Sequence, residues 1–111
     1  MIVIKTVNIL GVPYTILYKE KSEDPKFEQC VAYCDYTTHE IAISIPENNV
    51  MNLGNIDVDI QRVLRHEIVH AFAFESGLGH ESNWAMDEEM TDWIARQFPK
   101  MAECFNQISA V

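Results

Sequence analysis

His66, Glu67 and His70 stand in the spacing His-Glu-x-x-His, within the run His66-Glu67-Ile68-Val69-His70. On an α-helix, residues four apart share one face and lie about 6 Å apart along the axis. Two imidazoles so placed can bind one metal ion, and the carboxylate of Glu67 beside them can take a proton from a metal-activated water. The chemistry that this spacing points to is hydrolysis at zinc. A catalytic zinc needs a third protein ligand and an open position. The acids of Asp87-Glu88-Glu89-Met90-Thr91-Asp92 are the source to consider. Glu88 and Asp92 are four apart, so Glu88 can bind the metal while Asp92 hydrogen-bonds the outer nitrogen of a ligand histidine and fixes its tautomer. The helix dipole also favours acids in a first turn. That effect accounts for one or two of the three consecutive acids, and the helical wheel alone does not separate Glu88 from Glu89.

The elements that must position these residues are legible in outline. Val63, Leu64, Ile68, Val69, Ala71, Phe72, Ala73 and Phe74 surround the motif on nearly all sides, which predicts a buried helix. A buried His-Glu-His cluster is costly unless it is paired or binds a metal. The helical pattern runs from an Asp N-cap at Asp57 or Asp59 to Ser76, with Gly77 placed to end it. After a loop over Leu78–Asn83, a second helix is expected from near Ala85 to Gln97. Pro99 should kink or restart it, leaving a short last helix to about Ile108. Thr91, Asp92 and Ala95 form a stripe of small side chains that lets this helix approach the first closely.

Upstream the chain is strand-like. Ile2–Ile9 and Tyr14–Tyr18 read as a hairpin across Leu10-Gly11, and the charged stretch Lys19–Glu28 reads as a solvated loop. Cys30–Tyr36 and Glu40–Ile45 form a second pair around Thr37-Thr38-His39. Ile41, Ile43 and Ile45 alternate with Ala42 and Ser44 as in a half-buried strand, Pro46 ends it, and Glu47–Asn55 reads as a loop. Strands followed by helices predict one α+β domain over residues 1–111, with the helices packed on a small antiparallel or mixed sheet.

Composition narrows the partners. A formal net charge of −9 argues against nucleic acid and against anionic membranes, since both need a basic surface. The three cysteines, Cys30, Cys34 and Cys104, are an odd count and point to reduced thiols and a cytoplasmic setting. The apolar start lacks a basic leader and a small-residue cleavage site, so no signal peptide is read. No run of about 18 apolar residues is present, so no membrane span is read either.

His66-Glu67-x-x-His70, followed by Glu88-x-x-Thr91-Asp92-x-Ile94-Ala95, resembles the gluzincin branch of the zincin metallopeptidases. In style it is similar to very small bacterial and phage members: the ImmA/IrrE-like peptidases, the minigluzincins and the SprT-like proteins. Their second helix carries a Glu-x-x-Ala-Asn/Asp-x-Phe-Ala type of motif, from which Thr91 and Ile94 depart mildly. The resemblance implies a zincin-like fold and a zinc peptidase acting on a peptide or protein in the cytoplasm of a bacterial or phage-infected cell. It also implies Zn2+ on His66, His70 and Glu88, with Glu67 as general base and Asp92 orienting a ligand histidine, and so favours Glu88 over Glu89. It extends to the strands, where Tyr33-Cys34-Asp35 and Ile41-Ala42-Ile43-Ser44 resemble a hairpin whose edge strand borders the cleft. The backbone of Glu40–Ile45 is expected to hold the substrate by β-addition.

Other residues have less specific signals. His80, Tyr33 and Tyr36 are candidate oxyanion stabilisers. A cysteine ligand at Cys30 or Cys34 would resemble peptide deformylase, but the Gly-rich and Glu-Gly-Cys-Leu elements of that enzyme are missing. His39 reads as a turn residue, Glu75 as a solvated helix-end acid, and Trp84, Trp93 and Phe98 as core. The rival reading is a non-catalytic phage or mobile-element protein, structural or regulatory, in which zinc staples two helices with four protein ligands.

Overall fold

β-branched and aromatic residues flank Leu10-Gly11, and the chain turns there. Leu10 (φ 52°) and Gly11 (φ 91°) both take positive φ, the two-residue geometry whose twist matches antiparallel strands. The side chain of Asn8 accepts the Gly11 N–H at 2.6 Å. In this computed structural model, which describes residues 1–45, 53–79 and 81–111, strand β1 (Ile2–Ile9) pairs antiparallel with β2 (Val12–Glu20).

The stretch expected as a solvated loop is more ordered than that. It completes β2 and then forms two 3-10 turns, Lys21–Glu23 and Pro25–Glu28. Asp24 between them is buried, because Lys19 Nζ (3.0 Å), the Tyr33 hydroxyl (2.5 Å) and the Lys26 N–H (3.0 Å) all donate to its carboxylate. Strand β3 (Ala32–Asp35) then pairs antiparallel with β4 (Glu40–Ile45). The Asp35 side chain braces the turn by accepting the Thr37 N–H at 2.9 Å, and His39 closes it at φ 56°.

The strand order is β1-β2-β4-β3, with β4 parallel to β2, so the sheet is mixed. Ile41, Ala42 and Ile43 are all buried. β4 is therefore a central strand covered on both faces, not the half-buried strand that its alternation suggests. Its backbone is bonded to β2 on one side and β3 on the other, so Glu40–Ile45 cannot add a substrate strand. The edge beside the helices is β3.

Helix α1 (Leu53–Glu75) starts before Asp57 and Asp59, which lie inside it rather than capping it. Gly54 and Asn55 lower helix propensity by no more than about 1 kcal/mol each, a cost that does not stop a helix. The expected end of β4 at Pro46 and the loop as far as residue 52 lie outside the described residues. Gly77 does end α1. At φ 85° it donates to Phe74 O (3.2 Å) while Leu78 donates to Ala73 O (2.9 Å), the paired closure that a left-handed glycine permits.

α1 lies on the sheet, and Ile9, Tyr14, Ile16, Ile41 and Ala71 form the core between them. The helix is not buried all round. Between residues 59 and 75 only Glu67 and Ala71 are fully buried and Phe72 is exposed, because a sheet on one face and a helix on one flank leave a third side uncovered. Glu75 is not a free helix-end acid, since it accepts the Tyr14 hydroxyl at 2.7 Å.

Helix α2 (Glu88–Gln107) begins later than expected, where Asp87 caps it by accepting the Met90 N–H at 2.8 Å. It runs without interruption through Pro99. A proline there cannot donate to the carbonyl of Ala95, and Arg65 Nε on α1 donates to that carbonyl instead, at 2.6 Å. The small residues Thr91 and Ala95 are buried. α2 packs on α1 rather than on the sheet, so Trp84, Trp93 and Phe98, expected in the core, are each more than half exposed. Among the described residues no helix is long and apolar enough to cross a membrane.

Candidate metal centre

One turn of α1 brings His66 and His70 onto the same side, with ring centroids 4.9 Å apart. Ligand atoms of His66, Glu67 and His70 all lie within 4.8 Å of one another, so this group could hold a metal ion. The antiparallel crossing of α2 supplies the rest. Glu88, the first residue of α2, places Oε2 at 2.9 Å from His66 Nε2 and Oε1 at 2.8 Å from His70 Nε2. The exposed Glu89 makes no such contact. The imidazoles are largely buried, with 16% and 11% of their side chains exposed, whereas Glu88 stays open to solvent.

Asp92 completes the order of proton positions. Its Oδ1 lies 3.3 Å from His66 Nδ1 and 2.7 Å from Arg62 Nη1, and its Oδ2 accepts Arg96 Nε at 2.7 Å. The bonds from Arg96, His66 and Arg62 hold its carboxyl down, to about 2. An ionised Asp92 accepts a proton from His66 Nδ1, and that tautomer of a neutral ring turns the Nε2 lone pair toward Glu88. Lone pairs of a nitrogen and a carboxylate repel at 2.9 Å unless a proton or a cation lies between them. Burial drives His70 toward its neutral form, only partly offset by Glu88, and a neutral imidazole is the form that binds a metal. Two nitrogens and a carboxylate meeting in this way fit a divalent cation of borderline softness.

Glu67 points into the same space and is 7% exposed. Burial pushes its carboxyl up to about 7; His66 opposes the rise and Glu88 adds to it. The surrounding cleft, about 670 Å³, is walled by residues 30–34 along β3, by α1, and by Met86, Glu88 and Asp92. Cys34 in that wall is pushed up to about 12, first by burial and then by Glu67, Asp35 and Glu75, so it is a neutral thiol and not a thiolate.

Of the other expected site residues, Tyr33 lines the cleft, but its hydroxyl is given to Asp24 and does not serve an oxyanion. Tyr36 stacks on Phe74 at 4.3 Å, and Phe74 lines the cleft. His80 lies outside the described residues. Arg62 and Arg96 were not among the expected site residues. A signal for both was present, because Arg62 precedes His66 by four residues and Arg96 follows Asp92 by four. Comparison with family models, curated proteins and solved structures finds no match for this chain, so the site is read from its own geometry.

Proposed function

We propose that this chain is a compact gluzincin-type zincin that hydrolyses peptide bonds, with zinc held by His66, His70 and Glu88. The observation that carries this reading is the carboxylate of Glu88 set against both imidazole Nε2 atoms, one oxygen to each, across two helices. Two histidines four residues apart and one carboxylate are a donor set suited to a hydrolytic zinc. When bound, zinc would polarise a scissile carbonyl and acidify the attacking water.

The remaining work falls to residues of the chain. Glu67 accepts a proton on its buried carboxylate and returns it to the departing amine nitrogen. Burial raises its pKa to about 7 in the metal-free site, and a cation beside it would lower that value and leave a carboxylate ready to accept the proton. Asp92, held by Arg62 and Arg96, fixes the proton of His66 on Nδ1. An extended substrate pairs with the free edge of β3, which forms one wall of the cleft. Tyr36, beside Phe74, is the remaining described candidate for steadying the developing oxyanion.

A closed structural site would need a fourth protein ligand. Among the described residues the metal-capable group contains His66, Glu67 and His70 and no cysteine. With Glu88 these make four donors, so the open, catalytic arrangement requires Glu67 to act as the base and not as a ligand.

The test uses chain purified without chelator, elemental analysis for zinc, and a diverse peptide mixture read by mass spectrometry. One zinc per chain and chelator-sensitive cleavage are expected. Glu67→Gln should keep the zinc and lose the cleavage. Absence of zinc, or cleavage that survives Glu67→Gln, overturns the mechanism. Loss of zinc from that variant would make Glu67 a ligand instead of the base.

A further inference from the structure

On the side of the molecule away from the metal cleft, apolar surface is left in water. Leu78 and Trp84 of the α1–α2 connection, with Phe72 of α1 and Ile94 of α2, line a groove that shares no residue with the metal cleft. From Ile94 the apolar positions of α2 continue as Phe98, Met101 and Phe105, and Ile108 follows at its C-cap, in alternating steps of four and three residues. That spacing draws a straight apolar seam along a helix. The positions flanking the seam are Ala95, Gln97, Ala102 and Cys104, none of them charged, while Arg96, Lys100 and Glu103 fall on the outer side. α2 packs on α1 and not on the sheet, and the lower half of the seam stays exposed among the described residues.

We propose that this face joins two copies of the chain about a two-fold axis. Three observations select a second copy as the occupant. The face carries both a groove, at Phe72, Leu78 and Trp84, and a ridge, at Phe98, Phe105 and Ile108. An isologous interface requires both parts of a complementary pair on the same patch. Phe72 is 44% exposed, Phe98 55%, Phe105 40%, Trp84 59%, Leu78 42% and Ile108 72%. With full aromatic areas of 150–250 Å² this amounts to roughly 600 Å² of apolar surface per copy, most of the ~800 Å² that each partner contributes to a stable interface. The third observation is charge. The chain carries −9, yet the groove, the seam and its flanking positions on α2 carry no carboxylate side chain, so two copies can meet here without bringing such groups together. A basic partner would find no acids to pair with, and the net charge disfavours an anionic bilayer.

Sedimentation velocity of the full chain across a micromolar to submillimolar series tests this, with and without chelator, so that failure of the zinc reading leaves the outcome unchanged. A species of twice the 12.8 kDa chain mass is expected at the upper concentrations. Phe98→Glu and Phe72→Glu should each weaken it by at least about thirtyfold, the effect of losing one hot-spot aromatic. Both side chains are exposed, so far-UV circular dichroism should not change, and Phe98→Leu should retain the dimer. A chain that stays at 12.8 kDa throughout overturns the proposal, as does a dimer indifferent to both glutamate substitutions. A monomer that cosediments with phosphatidylcholine vesicles overturns it in favour of a membrane-facing helix.

Discussion

Glu67 should make the metal-free protein less stable than its Glu67→Gln variant, and the difference should depend on pH. In the unfolded chain this carboxyl titrates at its ordinary value of 4.5; in the fold it rises to about 7, chiefly because it is buried. A raised carboxyl pKa means that the fold prefers the protonated form. The preference stabilises the protein fully below pH 4.5 and is lost as pH rises through 7. At about 1.4 kcal/mol per unit, the ionised side chain costs the metal-free fold about 3 kcal/mol at about pH 8. Glutamine has the same shape and never ionises, but its buried amide retains a desolvation cost of about 1 kcal/mol. Glu67→Gln in chelator should therefore gain about 2 kcal/mol in unfolding free energy at about pH 8, and near pH 4.5, where only the amide's cost of about 1 kcal/mol is left, the gain should turn into a small loss. Urea unfolding at the two pH values measures it directly, and for a domain of this size Tm should move by about 4–8 °C per kcal/mol. Zinc should shrink the difference, because a cation beside the carboxylate favours its charged form. A wild-type protein at least as stable as the variant at the higher pH in chelator would refute the reasoning. A gain of the same size at both pH values would do so too, since it would have nothing to do with ionisation.

Asp92→Asn removes the charge that holds the His66 Nδ1 proton and leaves Arg62 and Arg96 without a shared anion; zinc affinity should fall about 10–100-fold in a competition titration. Unchanged affinity would show that His66 is oriented by packing alone. Arg65→Met strips the Ala95 carbonyl of its donor and should cost about 1–3 kcal/mol in denaturant unfolding. In a Pro99→Ala background, where an N–H is restored to that carbonyl, the same substitution should cost much less. Additive effects in that cycle would mean that the cost of losing Arg65 does not come from an unpaired Ala95 carbonyl.

The parts of this molecule that could be read from sequence are those fixed by near neighbours. The β1–β2 hairpin follows from strand-forming runs on either side of Leu10-Gly11, and the end of α1 follows from Gly77, because each depends on the backbone freedom of one or two residues. The pairing of His66 with His70 is equally local, a consequence of the helical repeat. Where a distant partner decides, the local rule fails. Ile41-Ala42-Ile43 alternates in size as a one-faced strand would, yet β2 pairs along it from one side and β3 from the other, so it becomes central. Amphipathic spacing on α2 marks an apolar stripe but does not say what covers it, and Trp93 and Phe98 are exposed accordingly.

Pro99 joins the two kinds of failure to the chemistry. Taken alone it ends a helix, and the local rule breaks α2 there. Arg65, one residue before His66, donates to the carbonyl that Pro99 leaves open and so ties α2 to α1 within one turn of the metal group. The buried Thr91 and Ala95 let the helices come close enough for that bond, and the same approach brings Glu88 to both imidazoles and Asp92 to His66. The crossing of the two helices and the assembly of the site are thus one event. A substitution that widened the crossing, such as a bulkier side chain at Ala95, should weaken the metal group before it unfolds the sheet, because the core on the sheet is built from Ile9, Tyr14, Ile16, Ile41 and Ala71 and contains no residue of α2.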